Sequence, residues 1–303
     1  MPQINIQPRS LRGMAEVVDL GILGNPPVLS GYLVKSGQVA ALVDAGSASV
    51  ADEYISRARE HLNDTRLEYV LITHVHLDHA GGTARMLELE PGMRAAVYSR
   101  GARHLIDPSR LLESSREVMG HLVDIWGGIK PVDPGRLLTL EDGDELRIGD
   151  SRMRLIATPG HASHSSAWYL VDEGVLFPGD SAGMLVIGEG GFAWPTAPPP
   201  FRMDMFLESL GRLVSLRLEM VCVPHYGCTR RPYEYLARTR DIYLRVDGAL
   251  ERICGTGVHG DSRILDGIVK ELGLGTIPRG EAIDDELMRN VRGLPGYSMC
   301  ANS

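Results

Sequence analysis

The densest chemistry in this chain lies between Thr73 and Gly82, which reads Thr73-His74-Val75-His76-Leu77-Asp78-His79-Ala80-Gly81-Gly82. Three of its 10 histidines and an aspartate fall in this one stretch. Imidazole and carboxylate are the ligands that a borderline divalent cation such as zinc prefers. A lone histidine in a polar turn usually hydrogen-bonds locally. Four ligand-type groups after a buried strand are costly to desolvate without a cation, so metal binding is the stronger reading.

The elements that would position this cluster can be read from the pattern. Tyr69–Thr73 is a short apolar, β-rich run and predicts a buried strand leading into His74. A helix is expected to begin near Ala80, with Gly81 and Gly82 easing the turn into it. Three more candidate ligands follow predicted strands in the same way. His161 follows Met153–Ala157, Asp180 follows Val175–Phe177, and His225 follows Met220–Val223. Each is weak alone, but strand ends on one side of a sheet can converge on a single site. Further strands are expected at Tyr32–Val34, Val39–Val43, Ala95–Tyr98 and Ser166–Val171, the first two as a hairpin around Gly37. Helices are expected over Ala51–Leu62, Leu111–Trp126 and Asp204–Leu216. From Tyr233 onward the pattern is almost wholly helical: Tyr233–Ile253, Asp261–Leu272 and Ala282–Val291. The change near Arg230 divides an α/β catalytic region, 1–230, from a helical C-terminal extension, 231–303. Packing on the core is the expected use of the extension, and a homodimer contact is the open alternative.

Composition narrows the function. A net charge of -8, with no basic run, argues against nucleic acid as a partner and leaves a small-molecule substrate. No uninterrupted apolar stretch approaches the roughly 20 residues of a membrane span. Met1–Arg12 has no apolar segment of the secretory type. The four cysteines, Cys222, Cys228, Cys254 and Cys300, form no C-x-x-C pair. Reduced thiols in a cytoplasmic protein are therefore the expectation.

The ordered set Asp44, His74-x-His76-x-Asp78-His79, His161, Asp180, His225 resembles the metallo-β-lactamase fold superfamily over roughly residues 15–230. That resemblance implies an α/β protein, a four-layer αββα sandwich. It also implies two divalent ions, zinc first, with iron or manganese as alternatives. His74, His76 and His161 would hold one ion, Asp78, His79 and His225 the other, and Asp180 would bridge them. Asp44 would stand behind the ligands and orient one of them. Asp78 and Asp180 would be the catalytic carboxylates, Asp78 also as a proton shuttle. A hydroxide held between two cations would attack a carbonyl carbon. Ser181 is expected to make only local hydrogen bonds.

A bridging Asp is typical of the lactonase, glyoxalase II and RNase Z-like branches and is missing from true β-lactamases. His76 argues against the flavo-diiron branch. Glyoxalase II and the persulfide dioxygenases carry Cys-Gly-Arg or Cys-Gly-Lys about ten residues after this Asp; here Gly188-Glu189-Gly190-Gly191 stands there. The best-known acyl-homoserine lactonases carry Tyr where this chain has Gly183. The leading expectation is a hydrolase of a small ester, thioester or lactone. A mononuclear iron dioxygenase of the persulfide type, a phosphodiesterase resembling RNase Z, and a non-catalytic scaffold rank below it. Candidate pocket residues are Tyr226, Trp194, Met119 and Trp126, with Leu122 beside them; core packing is the competing use of each. His164 could support the ligands or face solvent. Cys228 could approach the metals or lie buried, and His104 fits a surface or packing role.

Overall fold

The computed structural model describes residues 15–23, 29–186, 192–225, 227–258, 260–273 and 281–301. One six-stranded sheet runs in the order β1 (Ala15–Leu23), β2 (Leu29–Ser36), β3 (Val39–Val43), β4 (Arg66–Ile72), β5 (Arg94–Tyr98), β6 (Leu137–Leu140). In it β3, β4, β5 and β6 are parallel. The second six-stranded sheet comprises β7 (Glu145–Ile148), β8 (Ser151–Ala157), β9 (Ser166–Leu170), β10 (Val175–Phe177), β13 (Met220–Val223) and β14 (Gly227–Thr229). Its spatial order is β14-β13-β10-β9-β8-β7. A two-stranded ribbon, β11 (Met184–Val186) and β12 (Phe192–Trp194), stands apart.

Side chains alternate between the two faces of each strand. One face of each sheet meets the other sheet: Tyr32, Val34 and Leu71 pack with Leu155, Trp168 and Phe177. The remaining faces carry helices. Leu33, Leu42 and Val70 pack against α1 (Ala51–Leu62), α3 (Thr83–Leu89) and α4 (Ser99–Ile106) through Tyr54, Met86 and Leu105. Tyr169, Leu176 and Val221 pack against α7 (Met203–Val214), α8 (Pro232–Gly255) and α9 (Asp261–Leu272) through Phe206, Leu236 and Ile268. The result is the four-layer αββα sandwich. The helices after residue 230 share one apolar cluster with the second sheet, and α10 (Glu281–Arg289) joins it through Leu287 and Met288. Among the described residues, no helix is long and apolar enough to cross a membrane.

Three expectations need correction. The segment Leu111–Trp126 is not one helix but α5 (Ser109–Met119) and α6 (Leu122–Ile125). Gly120 adopts a left-handed φ of 57°, which breaks the hydrogen-bond ladder between them. The helix expected near Ala80 is likewise two short pieces, α2 (Leu77–Ala80) and α3, so Asp78 and His79 sit inside the first turn. The expectation of reduced thiols also fails. Cys222 pairs with Cys228 and Cys254 with Cys300, leaving no free cysteine. Cys222 and Cys228 face each other in register on β13 and β14, with Cα atoms 4.0 Å apart. The second bridge ties α11 (Ser298–Ala301) to α8. A cytoplasmic location therefore draws no support from the cysteines, since disulfides persist mainly in oxidising compartments.

Candidate metal centre

The segments that carry the candidate ligands, and Asp44 behind them, stand just beyond the carboxyl ends of strands: Asp44 after β3, the His74–His79 stretch after β4, His161 after β8, Asp180 after β10 and His225 after β13. β8 and β10 both run antiparallel to β9, and β13 runs parallel to β10. These strands of the second sheet therefore end on the same edge. The two sheets are clasped there. Ser166 N–H and its hydroxyl both donate to the carbonyl of Thr73, at 2.8 and 2.9 Å. Tyr32 hydroxyl donates to the carbonyl of Val223 at 2.6 Å. Two glycines permit the close approach of the ligand loops. A Cβ at Gly82 would lie 2.4 Å from the carbonyl of Ala45. Gly179, with φ of 52°, would place a Cβ 2.6 Å from Thr73 Oγ1. The value of Gly82 is thus proximity rather than an unusual turn.

The donors form three overlapping groups: His74, His76, His161; His74, His79, Asp180; and Asp78, His79, His225, each spanning no more than 4.8 Å. His76 Nδ1 lies 3.1 Å from His74 Nε2 and 2.9 Å from His161 Nε2. His79 Nε2 lies 3.3 Å from Asp180 Oδ1 and 3.4 Å from Asp78 Oδ2. His225 Nε2 is 3.4 Å from Asp180 Oδ1. A tetrahedral ion with metal–nitrogen bonds of about 2.0–2.1 Å sets its ligand atoms about 3.3–3.4 Å apart. The observed spacings match that edge length to within a few tenths of an ångström. Moreover His79 Nε2 and Asp180 Oδ1 are fully buried and lack any hydrogen-bond partner. Buried polar atoms are seldom left in this condition without a ligand to satisfy them. The donor set fits divalent cations.

The outer atoms of the ligands fix their tautomers. Asp44 accepts three hydrogen bonds: Thr73 N–H at 2.7 Å, Thr73 hydroxyl at 2.9 Å and His79 Nδ1–H at 2.8 Å. The Thr73 hydroxyl spends its proton on Asp44, so His74 Nδ1, 3.1 Å away, donates to Thr73 Oγ1. His161 Nδ1 donates to the carbonyl of Thr196 at 2.6 Å, since a carbonyl only accepts. In neutral His74 and His161 this leaves Nε2 bearing the lone pair that a cation needs, and His79 would offer the same atom once its Nε2 proton is displaced.

The titration behaviour divides the site. Burial pushes His74 and His161 below the ordinary imidazole range and His76 down to about 3, with neighbouring histidines adding to the effect on His74 and His76. These three are neutral. Burial opposes charge on His79 as well, but Asp78, Asp180 and Asp44 together outweigh it and lift the imidazole well above its usual value. His225 is raised against burial by Asp180. Asp78 is held at about 2 and Asp180 well below the carboxylate range; burial opposes both shifts, and His79 is the largest counterweight in each. Without a cation, this half of the site is a buried cluster of imidazolium and carboxylate.

All seven expected ligands and Asp44 are thus brought together. The pocket candidates are not. Trp194 is fully buried against the C-terminal helices, with its indole N–H donating to the carbonyl of Leu287 at 3.2 Å. Trp126 is buried and Met119 and Leu122 are half-buried, all in the apolar layer outside the first sheet. Their side chains serve packing, because the helix break at Gly120 folds α6 back on α5. Tyr226 lies outside the described residues. His164 is buried beside His76, ring centroids 5.7 Å apart, and 5.5 Å from the ring of half-buried His104. The Ser181 hydroxyl, expected to bond locally, instead meets Thr158 Oγ1, 23 residues away, at 2.7 Å. Thr73 and Thr196 are the positioning residues that sequence reasoning missed. Adjacency to His74 pointed to Thr73; nothing in the proline-rich segment pointed to Thr196.

Fold and donor set define a metal-dependent hydrolase built on two facing sheets. Residues 26–225 match the Metallo-beta-lactamase superfamily, and the chain belongs to that family as one of its metal-dependent hydrolases. It is 33% identical over 208 residues to the metallo-beta-lactamase fold-containing protein ST1585 of Sulfurisphaera tokodaii, covering 67% of this chain and 74% of that one. It is 26% identical over 286 residues to a hydroxyacylglutathione hydrolase of Methylococcus capsulatus, covering 93% of each. The crystal structure of ST1585 shares the fold with a TM-score of 0.70 at 24% identity, over 92% of this chain and 97% of that one.

Proposed function

We propose that this protein binds two divalent ions, zinc first, and hydrolyses a small thioester, ester or lactone. The observation that carries this reading is the pair of ligand groups linked by a third, His74, His79 and Asp180, that shares a histidine with each. His74, His76 and His161 would hold one ion, and Asp78, His79 and His225 the other, with Asp180 between them. Bound there, such ions lower the pKa of water and polarise a carbonyl. The chain supplies the rest. His76 and Asp78 are the least buried members of the set, so the substrate would approach from their side. The side chain of Asp78 is 16% exposed against 8% for Asp180, which suits it to pass a proton towards solvent. The buried histidines and the bonds from Asp44, Thr73 and Thr196 keep the donor atoms aimed inward before substrate arrives. The likeness to a hydroxyacylglutathione hydrolase over 93% of both chains favours a thioester.

The test is metal content by mass spectrometry on protein purified without chelators, followed by thioester, lactone and phosphodiester substrates. Close to two zinc or manganese ions per chain, thioester cleavage, and loss of roughly 100-fold or more in Asp180→Asn support the reading. One iron per chain with oxygen uptake on a persulfide overturns it.

A further inference from the structure

We infer that the C-terminal helix α8 is a working part of the metal centre, with Tyr243 as a positioning residue for His161 and Asp180. This rests on the proposal that these two residues hold a cation. Tyr243 lies beyond the segment that matches the family, 26–225. Its side chain is fully buried and stacks on Phe206 with ring centroids 4.1 Å apart.

The direction of every hydrogen bond around it can be assigned. Thr196 N–H donates to the Tyr243 hydroxyl oxygen at 2.7 Å. Thr196 Oγ1 donates its one proton to the carbonyl of Asp180 at 2.8 Å. The remaining contact, 3.1 Å between Thr196 Oγ1 and the Tyr243 hydroxyl, therefore has the phenol as donor. Tyr243 thus grips Thr196 at two atoms. Thr196 in turn holds the Asp180 backbone through its hydroxyl and the His161 imidazole through its carbonyl, at 2.6 Å. One phenol thereby fixes the residue that sets the tautomer of one ligand and the backbone of another.

The same helix makes a second grip. Tyr235 hydroxyl donates to the carbonyl of Ala182 at 3.0 Å, in the turn that carries Asp180, while the single Thr239 hydroxyl proton is shared between that carbonyl at 3.2 Å and the helix's own Tyr235 carbonyl at 3.0 Å. Residues 235, 239 and 243 are spaced four apart and so lie on one helix face. Three hydroxyls on a buried helix face are costly unless bonded. Here the two phenols are directed at the two segments flanking Asp180, rather than at the helix's apolar neighbours.

The experiment is Tyr243→Phe in the full chain. The variant keeps the stack on Phe206 and loses only the hydroxyl. Metal retention against a graded chelator is read by mass spectrometry, and the visible spectrum of the cobalt-loaded protein reports ligand geometry. Thermal unfolding of the metal-free chain serves as the fold control. Tyr169→Phe is the matched comparison, because Tyr169 donates its phenol to the carbonyl of Arg217 at 2.6 Å with no ligand in the chain of bonds. Loss of a partner behind a ligand typically costs roughly 10–100-fold in metal affinity. Tyr243→Phe is expected to lose metal to that extent and to shift the cobalt spectrum, with Tyr169→Phe unchanged in both. If Tyr243→Phe does not fold, Thr196→Val, which removes the bond to Asp180, takes its place with the same readouts. A folded variant with wild-type affinity and spectrum overturns the inference alone. A wild-type chain that holds no divalent ion removes the functional reading, and the inference with it.

Discussion

Asp44→Asn offers a test of how the ligands are aimed. Asp44 is buried, has a φ of 57°, and receives three donors on two oxygens. Asparagine tolerates that backbone region and matches aspartate in shape, so the fold should survive. It has only one acceptor oxygen. If that oxygen takes Thr73 N–H, the new NH2 faces Thr73 Oγ1 and His79 Nδ1. The Thr73 hydroxyl can rotate and accept. His79 Nδ1 can accept only by giving up its proton, and the neutral ring must then carry hydrogen on Nε2. That is the buried atom without a partner, aimed between Asp78 and Asp180. The substitution therefore masks the donor of one ligand group and leaves His76 and His161 untouched. The expected loss is roughly 10–100-fold in affinity at that group, or about 1.4–2.7 kcal/mol. Titration against a chelator should show one ion leaving early and the other at wild-type concentration. Equal affinity for both ions in a folded Asp44→Asn chain would refute the argument that Asp44 sets the His79 tautomer.

Three further outcomes are expected. His79 is lifted well above its usual value and so protonated in the cation-free protein at neutral pH, and His225 is raised beside it, whereas His74, His76 and His161 are lowered and neutral. Loading of the Asp78–His79–His225 group should then release protons, and its affinity should fall roughly tenfold per proton for each unit of pH lost. Calorimetry in buffers of different ionisation enthalpy checks this, and proton release from neither group would contradict it. Trp194→Phe should lower stability by about 1–3 kcal/mol, through the lost bond to Leu287 and an imperfectly filled core, with KM unchanged; a KM effect without destabilisation would return Trp194 to the pocket. Finally, the native chain should show no titratable thiol until reduced, because all four cysteines are paired; free thiols in unreduced protein would contradict that.

What could be read before folding was the part written in local order. A strand's apolar run followed at once by ligand-type residues is visible because chain neighbours stay neighbours in space. Hence His74 to His79, His161, Asp180 and His225 could be named, and strands such as Val175–Phe177 and Met220–Val223 found at their bounds. Contacts between distant segments were not legible. Asp44 touches His79 across 35 residues, Thr196 reaches back 35 residues to His161, and Tyr243 reaches back 47 to Thr196. Nothing local distinguishes a threonine in a proline-rich loop, or a tyrosine in a long amphipathic helix, from ordinary filler. The pairing of Cys222 with Cys228 follows from a strand register that spacing alone does not set. Nor could Trp194 be sorted between wall and core, since an apolar side chain suits either and only the position of Leu287 decides. Residue type and order therefore determined which atoms could bind a cation. Only tertiary packing decided which nitrogen of each histidine faces inward, because that choice is made by hydrogen-bond partners remote in the chain.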